Sequence, residues 1–179
     1  MEQGHVRAHE ARALTIRTYR DEDFAAAVAI HDRARPDELA GSCDPRGFIP
    51  LANDAPSLAD FHRSRKWVAV EDERIVGFVG VDGSCLSWLY VDPSRYGAGI
   101  GRALLQLALR EAGPDAWTIA LDGNARARAL YASEGFEVVR TFAGENNGYP
   151  CTCVRMALRG DSGRGGDAST PSSGPTTAS

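Results

Sequence analysis

Four cysteines stand in 179 residues, and no two of them have the spacing of a metal knuckle. Cys43, Cys85, Cys151 and Cys153 form no CxxC pair and no cysteine–histidine cluster, so no metal site is expected. Cys151 and Cys153 lie two apart, which in a strand puts both on one face, and reduced thiols are the expected state. A large excess of charge of one sign is also missing. The net charge is −4, so no basic surface invites nucleic acid. No apolar run approaches the ~18 residues of a membrane span. The opening MEQGHVRAHEARA lacks the apolar region of a signal peptide. The expectation is a soluble, cytoplasmic protein with neither a membrane nor a nucleic-acid partner. Internal repeats are absent as well.

What is present is an ordinary globular balance, 43% hydrophobic and 25% charged. The two ends depart from it. Residues 1–12 are polar and show no period. Residues 160–179 are rich in Gly, Ser, Thr and Pro, a composition that cannot bury a core. Both read as disordered tails around a single domain over residues 13–159.

Within that domain LTIRTY alternates as a first strand. DEDFAAAVAIHDRAR follows as a helix with acidic residues first and basic ones last, ended by Pro36. Residues 37–53 read as irregular, and SLADFHRSRK as a second helix with Ser57 or Asp54 near its cap. WVAVEDERIVGFVGV gives two strands joined at Glu71–Arg74. SCLSWLYV is a central strand, with Leu86, Trp88 and Tyr90 on one face and Cys85, Leu89 and Val91 on the other. GIGRALLQLALREA is an amphipathic helix stopped by Gly113-Pro114. A strand at AWTIALD, a helix from Asn124 to Glu134 and two last strands, FEVVRTF and YPCTCVRMAL, complete the order. The fold class is α/β: a mixed, mostly antiparallel sheet of about seven strands with about four helices.

The stretch PSRYGAGIGRALL raises a question of ligand. Gly97, Gly99 and Gly101 open a helix that has no Ser, Asp or Asn cap, so its first N–H groups need an acceptor. A plain turn capped by water would satisfy them, and so would an anion brought close to the backbone. The dinucleotide fingerprint fails at its third glycine slot, which holds Arg102. A triphosphate loop fails because Arg102-Ala103 follows Gly101 in place of Lys-Ser/Thr.

Leu89 to Leu105, LYVDPSRYGAGIGRALL, resembles the acyl-CoA-binding motif of the GCN5-related N-acetyltransferases (GNAT), a strand followed by Q/R-x-x-G-x-G/A at a helix start. Asn124 to Phe136, NARARALYASEGF, is similar to that family's N-x-x-A-x-x-x-Y-x-x-x-G-F segment. The order of elements agrees over Leu14 to Leu158. One position departs: Tyr96 fills the Q/R slot, with Arg95 one place early.

The resemblance implies a GNAT fold with a splayed central parallel strand pair. It also implies acetyl-CoA as cosubstrate and direct acetyl transfer to a primary amine in a ternary complex. The acceptor is expected to be a small molecule. A protein or peptide acceptor, or a CoA-binding module without turnover, stays open as an alternative. Pyrophosphate would sit on the N–H groups of Gly97, Ala98, Gly99, Ile100, Gly101 and Arg102, with Arg95 or Arg102 helping with the phosphates and Tyr96 also counted as cofactor-binding. The pantetheine arm would pair with the edge of Leu89, Tyr90 and Val91, freed by a bulge around Ser87–Leu89. Asn124 would bond the cofactor or cap its helix, and Tyr131 would protonate the leaving thiolate. No carboxylate lies on SCLSWLYV, so Glu71, Asp82, Glu38 and His31 are the candidates for a base. Substrate choice falls to residues 33–60 and the loop 144–149, with Tyr149 or Cys151 lining the acceptor pocket. By analogy alone, a homodimer through the exposed edge of the last strand is expected.

Overall fold

The computed structural model describes residues 13–158; the two expected tails lie outside the described residues. Seven strands form one sheet: β1 (Thr15–Thr18), β2 (Arg65–Glu71), β3 (Arg74–Asp82), β4 (Cys85–Val91), β5 (Trp117–Leu121), β6 (Phe136–Asn146) and β7 (Tyr149–Leu158). Four helices accompany them: α1 (Phe24–Leu39), α2 (Ala55–Arg63), α3 (Ile100–Ala112) and α4 (Ala125–Ser133). The sheet order is β1-β2-β3-β4-β5-β7-β6. Only β4 and β5 are parallel; every other neighbouring pair is antiparallel. The mixed, mostly antiparallel architecture matches the expectation. The outer edge after β5 belongs to β6, however, and the last strand β7 is internal.

Two apolar layers cover the sheet. On one face Leu104, Leu105 and Ala108 of α3 and Ala127 and Tyr131 of α4 pack on Leu86, Leu89 and Val91 of β4. On the other, Ala27, Ile30 and Ala34 of α1 and Phe61 of α2 pack on Phe78, Trp88 and Tyr90. Leu86 therefore shares a face with Leu89, not with Trp88 as strict alternation predicts. The register explains the switch. Val81 faces Leu86 and Gly80 faces Trp88, so Ser87 is one residue too many on β4. A bulge of this kind reverses the parity of the strand beyond it.

Pro36 does not end α1. The helix runs on to Leu39, and the Ala40 N–H donates to the Pro36 carbonyl at 3.0 Å. Proline removes its own donor and crowds the preceding turn. Burial of Leu39 and the Arg35–Glu38 ion pair, 2.5 Å at i,i+3, hold the last turn against that cost. Residues expected to be irregular thus begin as helix and then carry two short 3-10 turns, Pro45–Gly47 and Leu51–Asn53. Helix α2 starts at Ala55 and is capped by Asp54, which accepts from the Ser57 N–H at 3.2 Å. It stops at Arg63, because Arg65 and Lys66 belong to β2.

Candidate active site

The parallel pair opens almost at once. β4 and β5 are in register only at Cys85–Trp117. The Trp117 N–H donates to the Ser84 carbonyl at 3.0 Å, and the Thr118 hydroxyl donates to the Leu86 carbonyl at 2.9 Å. Past that side-chain bridge no ladder joins the two strands among the described residues. The Ser87 bulge sits where they part, its hydroxyl 2.8 Å from that of Ser64. A V-shaped cleft results, with the backbone of Ser87–Val91 along one wall.

A glycine loop lies at the open end. Asp92 caps the 3-10 turn Pro93–Arg95, and Tyr96 leads into Gly97 and Gly99, with φ of +79° and +82°. Gly99 is the N-cap of α3, whose first N–H groups receive no side-chain cap. A Cβ placed at Gly97 or Gly99 would meet nothing within 4 Å. The backbone conformation, not crowding, is what requires glycine there. A hollow of about 270 Å³ fronts the loop. Its wall includes Val91, Tyr96, Gly97, Gly99, Ile100, Gly101 and Arg102 of the expected cofactor set. Ala98 belongs to the same turn but is not part of that wall. Leu89 and Tyr90 send their side chains into opposite cores, which leaves their backbone for the cleft. Asn124 caps α4, accepting from the Ala127 N–H at 3.1 Å. It also lines a second hollow of about 120 Å³ with Asp37, Glu38, Tyr96 and Arg126.

Tyr131 reaches the apex of the V from α4. It is buried and pairs with the Thr118 hydroxyl, the group that bridges to Leu86. Burial pushes its phenol well above the ordinary value of 10. The phenol thus stays protonated at neutral pH, and its ring packs on Phe136 with centroids 5.4 Å apart.

Of the four candidate bases, Glu38 lines the second hollow. Glu71 is paired with Arg95 at 2.5 Å, and Asp82 is half-exposed and paired with Arg63 at 2.7 Å. His31 is buried against the Tyr90 ring and lies 2.8 Å from the Asp32 carboxylate. Glu38 is fully buried. Its carboxylate accepts from Arg35 at 2.5 Å and from the Tyr90 hydroxyl at 2.7 Å, and its charge acts on Tyr131.

The Glu38 network continues into a segment that sequence reasoning did not connect to it. Arg35 donates to Asn146 Oδ1 at 2.6 Å, and Asn146 Nδ2 donates to the Gly47 carbonyl at 2.9 Å. Asn147 Nδ2 donates to the same carbonyl at 2.8 Å. The β6–β7 turn therefore pins the segment after α1. The only hint in the sequence was the paired asparagine of GENNGYP. Tyr149 sits beneath the Arg46 guanidinium, 5.1 Å from its ring centroid. Cys151 does not line either hollow. It is buried with Leu39, Leu121 and Cys153, its sulfur 3.8 Å from that of Cys153. The buried Trp88 indole N–H has no partner among the described residues. No helix there is long and apolar enough to cross a membrane.

Comparison with known proteins agrees with this geometry. A family model described as an acetyltransferase (GNAT) domain matches residues 62–138. The peptidyl-lysine N-acetyltransferase YjaB of Escherichia coli is 34% identical over 153 residues, covering 82% of this chain and 98% of the relative. The mycothiol acetyltransferase of Propionibacterium freudenreichii is 33% identical over 156 residues, or 76% of this chain. The match takes in 47% of that relative, so the chain spans about half its length. Among solved structures, yncA of Salmonella typhimurium, determined with its cofactor acetyl-CoA, shares the fold. Its TM-score is 0.63 at 23% identity, over 88% of this chain and 99% of that one. The chain belongs to the GCN5-related N-acetyltransferase family. It is an N-acetyltransferase by that membership.

Proposed function

We propose that this enzyme transfers the acetyl group of acetyl-CoA to the primary amine of a small molecule by direct attack. One observation carries the reading: a single cleft has an uncapped glycine loop at its mouth and a buried phenol at its apex. The loop N–H groups suit the pyrophosphate, and the free edge of Ser87–Val91 suits the amide-bearing pantetheine arm. Glu38, lining the second hollow from α1, takes the proton of the attacking ammonium. A backbone N–H at the Ser87 bulge holds the developing oxyanion. As the C–S bond breaks, Tyr131 passes its proton to the thiolate, and the new amide nitrogen sheds its second proton to water. The raised pKa of Tyr131 does not oppose that step. A thiolate formed in the same buried place is disfavoured for the same reason.

The pinned segment after α1 supports a small acceptor over an open peptide groove. Asp37 and Glu38 in the second hollow suit an ammonium group. The similarity to YjaB, matched over 98% of its length and named a peptidyl-lysine acetyltransferase, favours a lysine side chain as the second reading. A panel of small primary amines and lysine peptides, assayed by thiol release from acetyl-CoA, separates the two. Small amines are expected to give the higher kcat/KM. Selective turnover of the peptides would reverse the assignment.

A further inference from the structure

Tyr96 stands in the slot where the glycine motif carries Gln or Arg, and an arginine from another helix lies on it. The Arg126 guanidinium is 3.8 Å from the centroid of the Tyr96 ring. Three arginines line the hollow at the glycine loop. Arg95 is matched by Glu71 at 2.5 Å and Arg102 by Glu134 at 3.1 Å. Arg126 meets no carboxylate among the described residues. It is the second residue of α4, where a cation opposes the helix dipole. Arg128, in the same turn, is matched by Asp122 at 2.7 Å; Arg126 is left unmatched. The uncapped N-terminus of α3 meets the same hollow. One uncapped helix N-terminus and one unmatched cation thus converge on about 270 Å³ of open space. Each is stabilised by an anion and disfavoured without one.

We propose that Arg126 clamps the pyrophosphate of the cosubstrate and that the Tyr96 ring holds it there, in place of the Gln or Arg whose slot Tyr96 fills. The inference rests on the acetyl-CoA reading given above. A guanidinium suits the task because its face can rest on a ring while its edge keeps N–H donors for two phosphate oxygens. Arg126 touches the ligand. Tyr96 is a positioning residue. Both also line the second hollow, so their stack forms the wall between the loop and the acidic side of the cleft.

Equilibrium binding of three probes to the full chain tests this: CoA, dephospho-CoA, which keeps the pyrophosphate, and pantetheine, which lacks it. Arg126→Ala should weaken CoA tenfold to about a hundredfold, the loss of a charge-assisted contact. Dephospho-CoA should lose the same factor, and the loss should vanish with pantetheine used as a competitor. Arg126→Lys should recover part of it. Tyr96→Leu should weaken CoA by a smaller factor, which Tyr96→Phe restores, with the ligand-free melting temperature held throughout. The proposal is overturned if Arg126→Ala binds CoA like the wild type. It is also overturned if only CoA is affected, which moves the contact to the 3′-phosphate, or if pantetheine suffers equally, which makes the role one of shape. A wild-type chain that binds no CoA at millimolar concentration would instead remove the acetyl-CoA reading itself.

Discussion

Single residues here are governed by burial more than by their neighbours in sequence. Burial pushes the thiols of Cys43, Cys85 and Cys153 up to about 12. At pH 8 such a thiol has a thiolate fraction on the order of 10⁻⁴, against roughly a quarter for a free cysteine. Alkylation with iodoacetamide at pH 8 is therefore expected to be at least about a hundredfold slower at these three positions in the folded protein than in urea. Fast labelling of Cys43, Cys85 or Cys153 in the folded state, read by peptide mass spectrometry, would show that burial is not in control. The same physics acts on Tyr131, where it keeps the phenol protonated. The glycine motif was legible in the sequence because Gly97 and Gly99 answer a local backbone demand. The Glu38 network was not, because Arg35 and Asn146 are 111 positions apart and neither has a local signature.

At the scale of elements, the fold was legible wherever one period ran without interruption. Helix α3 shows this between its glycine start and Gly113, whose φ is +82°. Legibility failed at two breaks of period. The extra residue at Ser87 moved Leu86 to the other face, and tertiary contacts carried α1 through Pro36. The β2–β3 hairpin holds a third irregularity. Asp72 and Glu73 have φ of 46° and 63°, and neither is glycine. A two-residue hairpin turn of this hand requires that conformation, which glycine adopts freely and glutamate does not. Glu73→Gly is expected to stabilise the protein by about 0.5–1 kcal/mol in urea unfolding. A destabilised variant would mean that the Glu73 side chain contributes more than its backbone strain costs.

Across the whole molecule, the two helical layers meet a sheet that is continuous except at the β4–β5 cleft. The 3-10 turn Asp21–Asp23 is tied to that body by Asp23. Its carboxylate accepts from Arg17 at 2.7 and 2.8 Å and from the Arg20 N–H at 2.8 Å, which holds its pKa below the usual carboxylate range. The folded pKa lies below the unfolded one. The stabilisation is therefore present above the unfolded value, near ~3.9, and is lost as pH falls through the folded value. Asp23→Asn should lower the melting temperature at pH 7 and narrow its gap from the wild type as the pH approaches 2. A gap that stays constant with pH would assign the effect to packing.

In the proposed reaction the cleft performs acetyl transfer with Tyr131 as the proton donor at its apex. Steady-state thiol release from acetyl-CoA, with the best amine of the panel, tests it in the wild type and in Tyr131→Phe. The expected result is turnover in the wild type, with kcat about 10²- to 10⁴-fold lower in the variant and the KM for acetyl-CoA little changed. Equal kcat in the two folded proteins, or no thiol release with any amine, would contradict it.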